Sequence, residues 1–239
     1  MPSHSRSAAH RPSTERLTRA AIVDTAIELA DRDGIEGLSM RRIADRLGVG
    51  AMSLYRHVPN KDALLADMTD EIAGRYPYPE PEPGWTWRDR VDTAAEIDWQ
   101  LYRLHPWVLF TFAVPRYNFG PHSLACLAWL TEGLLELTDD HREAVAMGLE
   151  VWSYIAGVAL QQVSAAMLAA RVDEHDESSG LTALLEGTPR RPSPAALAPL
   201  EGTGLGDLLD PVRQLRSGLS AMCDGFAARS RTSTPDRPH

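Results

Sequence analysis

Five cations and one acid share the stretch from Ser39 to Lys61: Arg41, Arg42, Arg46, Arg56 and Lys61 against Asp45. Lys61 is the only lysine in the chain. Cations at such density can neutralise phosphate charge. A solvated charged face is the competing reading, and charge alone does not separate the two. Elsewhere, spacing offers little chemistry. Cys126 and Cys223 form no CxxC pair and fall in apolar helical patterns, as small buried hydrophobes do, which suits a reducing cytoplasm. His122, His141 and His175 lack metal-ligand spacing and read as solvated or capping side chains. GTGLG at 202–206 follows no strand, so it is no dinucleotide-binding turn; HExxH, nucleophile-elbow and P-loop motifs are missing. These residues predict no catalytic site, no metal, no cofactor and no enzyme activity.

The chain has 239 residues with 24 Lys+Arg and 33 Asp+Glu, a net charge of −9 that at face value argues against a nucleic-acid partner. Its distribution argues otherwise. Residues 1–61 hold 10 basic and 7 acidic residues, net +3, whereas residues 62–239 hold 14 and 26, net −12. A 44% hydrophobic fraction supports a real core and excludes a disordered chain, a collagen or a disulfide scaffold. The first twenty residues contain no apolar run, which predicts no secretory signal. Val151 to Ala170 is broken by Ser, Tyr and two Gln, which predicts no membrane span. A soluble, cytoplasmic protein is expected.

The elements that must position the basic stretch are helices. Residues 1–14 have no periodicity and read as a mobile basic arm. From Glu15, Ile22, Ala26, Leu29 and Ala30 share a helical face that stops at Gly34. Ser39 is placed to cap a second helix that carries Met40, Ile43, Ala44 and Leu47 and is closed by Gly48. Ala51 to His57 gives a third, with Leu54 and Val58 apolar; Leu47 and Val49 are expected in the core. Asn60 caps a fourth, striped by Leu64, Leu65, Met68 and Ile72. The run YPYPEPEPG at 76–84 cannot be helix, and residues 77–84 read as a connector between residues 15–76 and a second domain at 85–231, with a tail at 232–239.

Beyond the connector the patterns remain helical. Val91, Ala95, Trp99 and Tyr102 make one face, ended by Pro106. Pro115 to Pro121 breaks the chain; Leu124, Leu127, Leu130, Leu134 and Leu135 mark the next helix. The longest pattern runs from about Asp139 to Arg171, and residues 172–206 read mostly as loop. Asp210 caps a last helix with Pro211 at its first position. No strand pattern competes, so the fold is all-α: an N-terminal helix-turn-helix domain and a helical domain for ligand binding and dimerisation.

Two short helices around a glycine turn, behind a longer supporting helix, are the architecture that fits a slim helix into a major groove about 12 Å wide. The residues narrow this further. GLSMRRIADRLGVGAMSLYRHVPNKDALL, residues 37–65, resembles the DNA-binding segment of the tetracycline-repressor (TetR) family of transcription factors, through IA-x-x-LGV, x-LY-x-HV and NK-x-x-LL. The resemblance continues more faintly through RLHPW and the long helix ending near Gln162, which look like the tetracycline-repressor type of C-terminal domain. It implies a double-stranded DNA operator as partner. Met40 and Arg41 then lie near the backbone and outer base edges, and Gly50, Ala51, Met52 and Ser53 on the base-reading face. Tyr55, His57 and Lys61 take phosphate-contacting places, and Arg56 a place where the family varies. Gly50 and Ala51 carry no polar side chain, so specificity leans on Arg41, Ser53, Arg56 and apolar contact with thymine methyls.

Of 16 aromatic residues, 14 lie between Tyr76 and Tyr154. Trp99, Trp107, Phe110, Phe112, Tyr117, Phe119, Trp129 and Trp152 could line an apolar ligand cavity or form an ordinary aromatic core, and the resemblance implies a small-molecule cavity in this region. It does not imply tetracycline with magnesium. Pro77 stands at the first drug-contacting histidine place, no histidine stands at the metal place near Phe112, and His105 belongs to the shared HPW turn. A larger apolar or aromatic effector without metal is expected. Apolar stripes at Trp152, Ala156, Leu160 and Val163, and at Val212, Leu215, Leu219, Met222 and Phe226, predict a four-helix homodimer interface. The reading is a ligand-responsive regulator, most simply a repressor released from a near-palindromic operator. Alternatives are a DNA-binding regulator without ligand, or a helical small-molecule-binding enzyme or carrier.

Overall fold

The computed structural model describes residues 17–169 and 209–233, and the side chains up to Ser164 in its longest helix and Ser230 in its last. The predicted arm at 1–14, the loop at 172–206 with His175 and GTGLG, and most of the tail lie outside the described residues. Among the described residues there are ten helices and no strand. The chain divides into two units after Leu64, so the connector at 77–84 falls inside the second unit.

In the first unit, α1 (Arg19–Asp33) is capped by Thr18, whose Oγ1 accepts from Ala21 N at 3.1 Å. Ile22, Val23, Ala26, Ile27, Leu29 and Ala30 are buried along one face, and Gly34 at φ 73° ends the helix. Next, α2 (Met40–Leu47) is capped by Ser39 and ends at left-handed Gly48. Ile43 and Ala44 are its buried residues, and Arg42 ties its start to the end of α1 by pairing with Asp33 and donating to Gly37 O at 2.7 Å. Arg32 and Arg42 together hold the Asp33 carboxyl down at about 2.

The third helix is shorter than its pattern predicts. Only Ala51–Leu54 (α3) is helical, because the amides of His57 and Val58 both turn back to Leu54 O at 2.9 Å and close the chain. Leu54 and Val58 are fully buried, whereas Leu47 and Val49 are only half-buried. Likewise α1 begins at Arg19; Glu15 lies outside the described residues. Asn60 Oδ1 accepts from Ala63 N at 2.8 Å and opens α4 (Lys61–Arg75), within which the first unit ends.

The second unit holds the rest of α4, with Leu65, Met68 and Ile72 buried. The Pro-rich run after it is non-helical, as its four prolines require. Thr86 and Asp89 then form a reciprocal capping box at the start of α5 (Trp87–Leu104). Two short helices that the periodicity does not reveal follow: α6 (Val108–Phe112) and α7 (Pro115–Asn118), the latter inside the predicted Pro115–Pro121 break. Gly120 gives α8 (Pro121–Leu134) no side-chain cap of its own. Asp70 on α4 supplies one, its Oδ1 accepting from His122 N at 2.9 Å and Ser123 N at 3.4 Å. Any side chain at position 120 would strike that carboxylate.

At the centre lies α9 (His141–Ala169), packed by α5, α8 and the last helix, α10 (Pro211–Ser233). Met147, Val151, Ile155, Val158, Ala159 and Val163 bury its inner side. Its segment His141–Ser164 is long and apolar enough to cross a membrane, at mean hydropathy 1.3, yet its neighbours are three helices of the same chain. Asp210 Oδ1 caps α10 through Val212 N at 3.0 Å, with Pro211 at its first position. Close approach of α10 to α9 depends on Gly218, since a Cβ there would overlap the Tyr154 hydroxyl, which donates to Gln214 O at 2.8 Å.

Candidate nucleic-acid interface and ligand cavity

The short α3 presents its outer side to solvent. Leu54 is its one buried residue, while Met52 is 78% exposed and Tyr55, in the turn beyond, 43% exposed. Leaving a methionine and a tyrosine in water costs apolar transfer energy that a soluble fold recovers only when a partner covers them. Around them, Arg41 and Arg56 are exposed, and Met40, Ala51, Ser53 and His57 are half-buried. Arg56 Nη2 donates to Ser53 Oγ at 3.3 Å, so these two polar side chains form one group. Gly50 caps α3 at φ −71°, a conformation open to any residue, and nothing stands within 4 Å of where a Cβ would lie. Lys61 Nζ donates to Leu38 O at 3.0 Å, which fixes the ammonium beside the start of α2 while its remaining protons stay available. All ten residues read from the sequence therefore sit on the helix-turn-helix, and none is deeply buried.

The second unit encloses a cavity of about 320 Å³. Its walls come from Ala73 of α4, Tyr76 and Tyr78 of the connector, and residues of α5 through α9. Asp98 of α5 lies in the wall, buried, and accepts from the Tyr78 hydroxyl with both carboxylate oxygens at 3.0 Å. Trp152 Nε1 donates to the same hydroxyl at 2.9 Å. An indole N–H can only donate, so it occupies a lone pair of Tyr78 and turns the phenolic proton to Asp98. Burial raises the Asp98 carboxyl to about 7, with the Tyr78 hydrogen bond opposing the rise. Burial likewise pushes Tyr78 and Tyr102 up, and the Cys126 thiol up to about 11. Ser123 Oγ, also in the wall, is buried without a hydrogen-bond partner.

Of the aromatics expected at a cavity, Phe112 and Trp152 line it. Trp107 and Tyr117 are buried away from it, while Phe110 and Phe119 are exposed. Trp99 lines a separate groove against α10 with Leu215 and Leu219. Trp129 supports the connector instead, donating from Nε1 to Pro79 O at 2.8 Å and packing on Tyr78. The predicted dimer stripes divide similarly. Ala156 and Trp152 face the cavity; Val163, Leu215, Leu219 and Phe226 are buried inside this chain, and Met222 is half-buried. Leu160 and Val212 remain exposed. The regular spacing on α10 is thus largely accounted for by packing within the chain.

Sequence reading missed Asp98, Tyr78 and Ser123. A signal for the first exists: Val91, Ala95, Asp98 and Tyr102 share helical spacing, which puts an acid on the apolar face of α5. Tyr78 is hidden in a segment that reads as a spacer, and nothing local distinguishes Ser123.

The first unit is a helix-turn-helix domain of the DNA-binding kind, joined to an all-helical unit that encloses a cavity. Residues 22–68 match the family described as bacterial regulatory proteins, tetR family. The chain is 34% identical over 147 residues to the HTH-type transcriptional repressor DrrR1 of Streptomyces coeruleorubidus, a match covering 62% of this chain and 54% of that protein. Over 74 residues it is 42% identical to the class D tetracycline repressor of Escherichia coli, covering 30% of this chain and 34% of the repressor. The chain thus spans about half the length of the first of these relatives, and less of the second. The TetR family protein ActR of Streptomyces coelicolor, solved in complex with actinorhodin, superposes with a TM-score of 0.71 at 28% identity, over 90% of this chain and 99% of ActR.

Proposed function

We propose that this chain is a ligand-responsive transcriptional repressor of the cytoplasm, binding as a homodimer to a near-palindromic operator. The observation that carries the reading is the exposed α3 with Met52 and Tyr55 uncovered between Arg41 and Arg56. Met40, Arg41, Gly50, Ala51, Met52 and Ser53 approach bases or the adjoining backbone; Tyr55, His57 and Lys61 hold phosphates; Arg56 adds base preference through its contact with Ser53. Two copies present their recognition helices about 34–36 Å apart, one turn of the duplex. The similarity to DrrR1, a repressor by name, supports the sign of regulation.

A small molecule in the cavity releases the operator by binding the DNA-incompetent state more tightly than the competent one. ActR, related across 90% of this chain, is known in complex with a small molecule, which supports an effector here too. No catalytic role is assigned.

Titration against an operator panel with single base changes tests the assignment. Arg41→Ala and Arg56→Ala are expected to alter base preference, by roughly 1–3 kcal/mol at one position, while Tyr55→Ala weakens binding to every sequence alike. Equal losses on all sequences for all three variants would remove the division between reading and anchoring.

A further inference from the structure

We propose that the effector is a cation: an apolar, ring-sized body carrying a protonated amine or equivalent positive charge that pairs with Asp98. The inference rests on the effector reading above and adds the ligand's charge. Most of the cavity's other lining residues are apolar or aromatic, among them Leu101, Leu109, Phe112 and Leu149, with Asn118, Ser123 and Ser153 the polar exceptions. Among the described residues no Arg, Lys or His lines the cavity and no cation pairs with Asp98. A buried carboxylate without a counter-charge is unfavourable unless a partner arrives. With a neutral ligand Asp98 avoids that cost only by keeping its proton, an anionic ligand adds repulsion, and a cation alone compensates the ionised form.

The Tyr78–Trp152 relay leaves the carboxylate open to a further donor. It anchors the carboxylate through one proton only, and four lone-pair positions on two oxygens leave room for an incoming donor. Tyr76, Tyr102 and Trp152 share the wall, and a ring face offered to the ligand favours a cation over a neutral ring. Ser123 Oγ, buried and unpartnered, marks a second point where the wall can meet a polar ligand atom. A wholly apolar effector satisfies neither group.

The test uses one ring system in three charge states with the full chain, in the absence of DNA: 10-methylacridinium (a permanent cation), acridine and acridine-9-carboxylate, at pH 8. Binding is read from tryptophan quenching, since Trp152 stands in the wall. The cation is expected to bind roughly 10- to 100-fold more tightly than acridine, and the carboxylate weakest. Asp98→Asn is expected to bring cation and neutral ring within about threefold, chiefly by weakening the cation.

A second readout needs no variant. The probe's charge does not titrate, so its affinity for the native chain should rise several-fold from pH 6 to pH 8 as Asp98 ionises. Tyr78 of the connector, Tyr102 of α5 and Cys126 of α8 face Asp98 but stay neutral across that range, because burial raises all three. Nearby, His105 bonds Tyr76 Oη, and His122 pairs with Asp70 beside Ser123; the Asp98→Asn profile subtracts their contribution. Equal affinity for the three probes, preference for the neutral or anionic ring, or no binding of any would overturn the proposal. Operator binding is measured in parallel. A chain that binds operator but shows no cation preference loses this inference and keeps the regulator reading; a chain that binds no operator loses the regulator reading whatever the probes do.

Discussion

Asp98 makes the stability of the second unit depend on pH in a definite direction. Its carboxyl ionises near the ordinary carboxylate value when the chain is unfolded and at about 7 when folded. Between those values the folded state keeps a proton that the unfolded state has released. Stability is therefore highest at acid pH with respect to this group, falls as pH rises toward about 7, and levels off above it. Asp98→Asn retains an oxygen for the Tyr78 hydroxyl and removes the titration. The variant should gain on the order of 1–4 kcal/mol over the native chain at pH 8 and about half as much at pH 5.5. Urea unfolding followed by tryptophan fluorescence checks this, because all six tryptophans lie at or beyond Trp85. A difference that is the same at both pH values would mean that Asp98 is not held in a desolvated site. In the first unit, Gly50 offers a matching experiment. Open space around it predicts that Gly50→Gln leaves folding unchanged within about 0.5 kcal/mol yet shifts the preferred operator bases, read by circular dichroism and by selection from a randomised DNA pool.

At the scale of elements, helix ends repay the closest attention. Ser39, Asn60 and Asp210 are capping residues a few positions from the amides they serve, so the sequence displays them directly. Asp70 caps α8 from more than fifty residues away, and no local pattern records it. Asp70→Ala should destabilise the second unit by about 1 kcal/mol, the ordinary worth of a cap, visible as a lower urea midpoint in tryptophan fluorescence. An unchanged midpoint would show that water replaces the carboxylate at no cost. The same distinction between local and distant causes explains what could be read beforehand. The helix-turn-helix is legible because its stops are glycines and its core is periodic. The cavity is not, because Asp98, Tyr78 and Trp152 meet only once α5, the connector and α9 have packed. Six of eight aromatics expected there lie elsewhere, since aromatic content reports burial and not which void a ring faces. The heptad-like stripe on α10 carries a related ambiguity: the same spacing serves packing within one chain and between two.

For the whole molecule, a net charge of −9 conceals a basic head and an acidic remainder. Such a separation discourages non-specific coating of DNA while leaving the recognition surface attractive to phosphate, so operator affinity should fall steeply with salt. The proposed dimer would use the outward side of α9 and α10, where Leu160 is 41% exposed and open space surrounds Gly157 and Gly225. Gly157→Arg can be accommodated by the isolated chain, so the account predicts an otherwise folded monomer by light scattering, with loss of tight operator binding. A dimer unaffected by this change would place the interface elsewhere.

The central claim is that α3 reads DNA in a sequence-dependent way. It is tested most directly by selecting genomic fragments with the full chain and titrating the native and Arg56→Ala proteins against the recovered sequence. The expected result is fragments sharing one near-palindromic motif, bound at roughly 10⁻⁸ M or tighter and about 10-fold or more weakly by the variant. Fragments without a common motif, or equal binding of motif and scrambled DNA, would contradict it.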